Sequence, residues 1–280
     1  MDFHADQSNL GHRMSDRFRW LARRHRRHLR GPAVALRYRG LRSSDVLLAG
    51  YPRSGTTWLT FMLAEVLSGV PSTWASTGKL VPAVGRHRGA PALLPSDGRL
   101  LRTHEQRRPG DARAVYVVRD PADVAASYYK WFRFHRLDPG PFARFFDLYL
   151  EGRIDGYGPW SAHVESWLES GAACHVVRFE DLLRNPCAEV TGALRFLGVV
   201  HVDPGAIHQA VDANARPRMR EKEALEPAAF GRHDPAGRFV GAGRAGLGWS
   251  WLTPSQRAAL SARTGRALRL AGYRSMSGPS

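Results

Sequence analysis

Apolar residues fall in short runs separated by polar and glycine-rich stretches, and two spacings can be read in them. Asp45–Ala49 (DVLLA) is a compact, mostly apolar run that stops at Gly50 and Pro52, the pattern of a short buried strand. From about Gly55 to Leu67 apolar positions recur at helical spacing. Leu100–Thr103, Ala114–Val118 (AVYVV) and Cys174–Phe179 (CHVVRF) read as three further strands. Helical patterns lie near Ala122–Arg133, Phe142–Leu150, Pro159–Glu169, Ala188–Leu197 and Pro254–Ala271. Strands alternating with helices predict an α/β fold of three layers, a central parallel sheet flanked by helices. Residues 71–99 and 213–248 are rich in Gly, Pro and Arg and show no periodicity. The first reads as loop, and the second as a mobile cover over a site.

Composition narrows the class without naming it. A chain of 280 residues and 31.1 kDa, 43% hydrophobic and 24% charged, fits a packed core and excludes collagen, a coiled coil or wholesale disorder. No window holds the roughly 18–20 apolar residues of a membrane span, so a soluble, cytoplasmic chain is expected. Cys174 and Cys187 are too few for a disulfide framework or a cysteine-built zinc site, and no metal is expected. The formal net charge is +16, yet only three of the 41 cations are lysines, a skew that fits a GC-rich genome as well as an anionic partner. Eleven arginines lie between Arg13 and Arg42, with Asp16 the only acid among them. Residues 1–42 therefore read as a basic, solvated extension without the apolar stretch of a signal peptide, and residues 43–280 as one domain. A basic helix resting on a membrane or an acidic partner, or a transit peptide, is the alternative for the extension.

The segment DVLLAG-YPRSGTTWL carries the most chemistry. A buried strand runs through a Gly/Pro/Ser turn into a helix, which aims backbone N–H groups and a helix N-terminus at an anion. Gly50–Thr57 (GYPRSGTT) matches G-x-x-x-x-G-K-[ST] at both glycines and at Thr57, but Thr56 stands in place of the lysine. The cation has moved into the turn as Arg53, and AVYVV is followed by Arg119 rather than by a magnesium-binding acid. The loop therefore reads as P-loop-like but built for a phosphate without a triphosphate–magnesium cluster.

YPRSGTTW resembles the 5′-phosphosulfate loop of the sulfotransferases that use 3′-phosphoadenosine 5′-phosphosulfate (PAPS), particularly the cytosolic type. VVRDPADVAASYY (Val117–Tyr129) is similar to their 3′-phosphate segment, GPWSAHVESWL (Gly158–Leu168) to their G-x-W-x-x-H-V-x-x-W, and VRFEDLLRNP (Val177–Pro186) to their F-x-Y-E-D-L. The resemblance covers Asp45 to Leu197 well and the C-terminal third loosely. It implies PAPS as the donor cosubstrate and sulfuryl transfer to a hydroxyl or amine of a small-molecule acceptor, with neither a metal nor nucleic acid required. Arg53 then contacts the departing phosphate, and Ser54, Gly55, Thr56 and Thr57 cradle the 5′-phosphate. Trp58 stacks on adenine, and Arg119 and Ser127 hold the 3′-phosphate. His104, in LLRTHEQ, is the implied general base, a role imidazole fills without an extreme pKa. Arg102 replaces a family lysine beside the transferring group, while His163 reads as structural.

The departures matter. Phe179 replaces a tyrosine among the nucleotide-contacting positions. GRAGLGWSW (Gly243–Trp251) is a shortened R-K-G-x-x-G-x-W in which Arg244 and Gly246 match 3′-phosphate contacts but Ala245 has lost the lysine. The adenine-stacking aromatic is absent near NARPRMREK, where Arg216 could stack by its guanidinium. Aromatics from Tyr128 to Tyr149 could line an acceptor cavity or fill the core, two readings of equal standing. A P-loop kinase or NTPase, and a nucleic-acid-binding protein using the Arg13–Arg42 arm, are the rival functions; binding of nucleotide without catalysis is a third.

Overall fold

The computed structural model describes residues 33–108, 110, 113–169, 171 and 173–273. Most of the arginine-rich extension, residues 1–32, lies outside the described residues. Four short strands, β1 (Val46–Gly50), β2 (Leu100–Thr103), β3 (Ala114–Val118) and β4 (Cys174–Arg178), form one parallel sheet in the order β2-β1-β3-β4. All residues of β1 and β3 are buried, which is why VLLAG and AVYVV are continuously apolar instead of alternating. Asp45 falls just outside β1, where its carboxylate takes the Arg99 guanidinium at 2.6 Å in a buried ion pair. β4 is a residue shorter than its sequence pattern, because Phe179 opens a helix.

Helices cover both faces. On one side pack α3 (Pro121–Phe134), α4 (Phe142–Leu150), α5 (Trp160–Leu168) and the C-terminal α10 (Pro254–Leu270), against Leu47, Ala49, Tyr116 and Val118. On the other pack α1 (Thr56–Ser68), α7 (Pro186–Phe196) and α8 (Pro204–Ala213), against Leu48, Val115, Val117 and Val177. Successive strand residues thus serve opposite cores. Helix α3 starts where Asp120 accepts the N–H groups of Ala122 and Asp123, with Pro121 in its first turn.

Two stretches without periodicity, one read as loop and one as a mobile cover, contain helix. Residues 71–99 hold α2 (Trp74–Leu80), started by a reciprocal Thr73–Ser76 capping box. Residues 213–248 hold α9 (Arg216–Leu225) and a 3₁₀ turn at Pro227–Phe230. Only Met219 and Glu223 of α9 are buried, so no apolar stripe marks it in the sequence. Helix α6 (Phe179–Arg184) and a second 3₁₀ turn, Leu247–Trp251, complete the set. Among the described residues no helix is long and apolar enough to cross a membrane.

Candidate active site

In a parallel sheet ligands sit beyond the carboxyl ends of the strands. Here β1 ends at Gly50 and leads to Arg53, β2 leads to His104, β3 to Arg119 and β4 to Phe179. All four side chains line one cavity of about 1160 Å³. Gly55, Thr56, Thr57, Trp58 and Ser127 line it too, and so do Arg216 and Arg244. The 213–248 segment therefore does lie over a site, through Arg216, Met219 and the Phe239–Arg244 stretch.

The turn after β1 needs an unusual backbone. Arg53 and Gly55 both have left-handed backbones, with φ of 72° and 103°. At Gly55 a Cβ would also lie 2.5 Å from the Phe179 ring, so glycine is required twice over. Gly55 caps α1 with no side-chain acceptor, leaving first-turn amides of that helix open toward the cavity. The Ser54 hydroxyl is buried without a hydrogen-bond partner, and so is Nε of Arg119. Each such orphan costs free energy unless a ligand satisfies it.

Arg53 is gripped on several sides. Its Nε donates to Ser127 Oγ and its terminal nitrogen to the Phe239 carbonyl, both at 3.2 Å, and its guanidinium carbon lies 4.6 Å from the Phe239 ring centre. Burial and the nearby Arg119 charge push its pKa down to about 10. Arg119 lies 4.2 Å over the Phe179 ring and donates to the Arg244 carbonyl. Its nearest carboxylate, Asp123, is 3.6 Å away and already occupied. Two enclosed guanidiniums held together against their repulsion fit an anion between them.

The His104 ring is fixed in one tautomer. Its Nδ1–H donates to the Gly50 carbonyl at 2.7 Å, so Nε2 carries the lone pair. Burial, with the charges of Arg102 and Arg53, lowers its pKa from 6.5 to about 4, and the ring is neutral at pH 7. Behind it His163 Nε2–H donates to the His104 carbonyl at 3.0 Å, and Nδ1 accepts the Tyr116 hydroxyl at 2.8 Å. One turn on, the Trp167 indole donates to the Glu105 carbonyl. His163 and Trp167 on α5 thus hold the His104 turn from behind, which gives the H-V-x-x-W pattern its physical reason.

Three expected site residues do not line the cavity. Arg102 donates its Nε to the Val81 carbonyl at 2.8 Å. Ser54 sits beneath the turn. Gly246 gives its N–H to Asp123 Oδ2 at 2.8 Å instead of to the cavity. Tyr128, Trp131 and Phe132 line the cavity, and Tyr128 and Phe132 also belong to the core cluster that holds Phe145, Phe146 and Tyr149.

Asp123 and Glu223 were not legible as site residues. Asp123 Oδ1 and Oδ2 accept the N–H groups of Gly248 and Gly246 and so moor the loop that carries Arg244. Gly248 approaches α3 so closely that a Cβ would lie 2.2 Å from the Ala122 backbone. Glu223 Oε1 and Oε2 accept the N–H groups of Phe239 and Val240 at 2.6 and 2.9 Å, placing the ring and carbonyl that hold Arg53. Asp123→Asn can keep only one of its two acceptor bonds, so urea unfolding should show a loss of about 1–3 kcal/mol; an unchanged stability would mean that the loop is moored elsewhere.

Residues 43–234 match the model of the family described as the sulfotransferase domain. The chain belongs to this family. Mouse sulfotransferase 1 family member D1 is 30% identical over 177 residues, and mouse sulfotransferase 1A1 is 28% identical over 179. These alignments cover 56% and 55% of this chain, and 59% and 60% of the relatives' own length. Among solved structures the fold is shared with mouse sulfotransferase SULT7A1 complexed with adenosine 3′,5′-bisphosphate (PAP), at TM-score 0.64, 22% identity and coverage of 87% of this chain and 94% of that one. It is also shared with retinol dehydratase in a complex with retinol and PAP, at TM-score 0.63, 19% identity and 82% coverage of each chain.

Proposed function

We propose that this sulfotransferase-family chain uses PAPS as its donor and moves a sulfuryl group to a hydroxyl, or amine, of a small-molecule acceptor. The observation that carries the reading is the meeting in one cavity of two half-buried arginines, Arg53 and Arg119, with the N-terminus of α1 and one histidine kept neutral by burial. Bound there, PAPS supplies a phosphosulfate whose sulfur–oxygen bond breaks as the acceptor oxygen attacks.

The Gly55–Thr57 turn offers amide and hydroxyl donors to the 5′-phosphate, with Trp58 held against the adenine by its indole bond to the Asn214 carbonyl at 2.7 Å. Arg119, Ser127 and Arg244 hold the 3′-phosphate. Phe179 replaces a polar contact by a face that orients Arg119. Arg216, donating to the Gly241 carbonyl at the cavity wall, flanks the base. Arg53 reaches from Ser127 toward the phosphate that leaves, stabilising charge as it develops. His104 Nε2 takes the acceptor proton. Arg102, held to Val81, acts through its charge by keeping His104 unprotonated.

The test is the pH dependence of transfer from PAPS to a phenol and alcohol panel. His104 with its pKa lowered to about 4 predicts an acid limb of kcat/KM near pH 4, whereas a free imidazole would place it near 6.5. Short assays are needed, because His163 is lowered as well, to about 3. Below pH 6.5 the unfolded chain binds protons at both rings that the folded chain refuses, so stability is lost as the pH is lowered from 6.5. No transfer at any pH, or a limb at 6.5, contradicts the reading.

A further inference from the structure

The cavity is more cationic than its donor half requires. Arg53, Arg119, Arg216 and Arg244 are assigned to the nucleotide, but Arg37, Arg86 and Lys130 also line the wall. Lys130 is engaged at the rim, its ammonium 4.9 Å over the Trp251 ring. Arg37 and Arg86 come from segments that meet at Gly85. The Arg37 stem packs against Gly85, the residue before Arg86. Both sit beside the strand that ends in His104: Arg37 is 3.6 Å from Glu105, and Val84 donates its N–H to the Arg102 carbonyl. Arg86 is close enough to Arg102 to lower its pKa.

Both residues are exposed, and Arg37 is ion-paired with Glu105. The Arg86 guanidinium has no hydrogen bond or ion pair among the described residues. Asp155, the other carboxylate of this half, is committed: Oδ2 accepts the Tyr128 hydroxyl at 2.5 Å and Oδ1 accepts the Tyr157 amide at 2.7 Å. The same lining carries His104, Tyr157 and Trp131. The lining thus brings aromatic rings, a proton acceptor and two further guanidiniums to one cavity. Guanidinium forks match the planar or tetrahedral oxyanions of carboxylates, sulfates and phosphates.

We propose that Arg37 and Arg86 form an anion handle, and that the acceptor is a hydroxyl compound bearing an ionised carboxylate, sulfate or phosphate away from the reacting hydroxyl. The inference rests on the transferase reading above and adds the substrate class. Because the sequence is arginine-rich throughout, charge at this corner could instead steer the anionic donor. The two roles separate by experiment.

The probes are 4-hydroxyphenylacetate and 3-(4-hydroxyphenyl)propionate, each paired with its uncharged amide, plus 4-hydroxyphenyl phosphate and 4-hydroxyphenyl sulfate. Their affinity for the PAP-loaded protein is read by calorimetry, and their transfer from PAPS by kcat/KM. The handle predicts a preference for acid over amide of about tenfold, the value of one charge-assisted contact. In Arg37→Ala and Arg86→Ala that ratio falls toward one, and Arg86→Lys restores part of it. Equal affinity for acid and amide in the wild type overturns the handle. A ratio that survives both substitutions also overturns it, as does a loss confined to PAP affinity, which assigns the pair to donor steering. Failure of PAP itself to bind would instead remove the transferase reading, and the handle with it.

Discussion

His104→Ala is expected to lower kcat for sulfuryl transfer by about 10²–10⁴-fold, the contribution of a positioned general base, while PAP affinity stays at the wild-type level. The separation follows from geometry. The ring touches the protein through Nδ1 and the Gly50 carbonyl, and its remaining nitrogen is free for the acceptor. A second variant, His104→Gln, keeps a side-chain amide near the same carbonyl but has no basic nitrogen, so it should be as inactive and better packed. Single-turnover assays with preloaded PAPS would read the chemical step directly. Wild-type turnover in both variants would remove His104 from proton transfer.

Arg53→Ala is expected to be comparably severe, about 10²–10³-fold in kcat, as for loss of one preorganised donor to developing charge. Here PAP affinity should fall as well, because the same guanidinium is part of the resting anion site. The effect should depend on its clamp. Arg53 meets Ser127 on one side and the Phe239 carbonyl and ring on the other, and Glu223 fixes Phe239 through its amide. Arg53→Lys keeps a charge but loses the planar fork that spans these partners, so its activity should fall between wild type and alanine. Equal activity of Arg53→Ala and wild type in steady-state and single-turnover assays would show that the leaving phosphate is stabilised by Arg119 and the helix terminus alone.

Much of this site was legible in the chain because its parts are local. The GYPRSGTTW stretch has to be a strand, a strained turn and a helix in immediate succession, and each demand leaves a mark: apolar run, Gly/Pro turn, apolar periodicity. Gly55 is glycine for a reason sequence can only half supply, since the positive φ is local but the Phe179 ring beneath it comes from 124 residues away. His104 and Arg119 are readable because each follows a short buried strand.

What stayed hidden acts at a distance or through the backbone. Asp123 and Glu223 act through the backbone: each holds two amides of a loop over 15 residues further along, and a lone acid on a helix carries no sign of that. Helix α9 is nearly all polar, so neither periodicity nor hydropathy reveals it. Arg102 looked like a site residue by position, but its side chain turns to the Val81 carbonyl, and only the packing of residues 81–84 beside β2 decides that. The aromatic run from Tyr128 to Tyr149 could not be apportioned in advance because it spans two helices that share one core, and only rings of the first also reach the cavity.

The account stands or falls on one nucleotide being gripped at both of its phosphates, and calorimetry measures this most directly. PAP titrated into the protein should bind at least about 100-fold more tightly than 5′-AMP, because Arg119 and Ser127 add charge-assisted hydrogen bonds worth about 1.5–3 kcal/mol each. Arg119→Ala should abolish most of that difference. Equal affinities for PAP and 5′-AMP would contradict the assignment of the Arg119–Ser127 corner, and with it the identity of the donor.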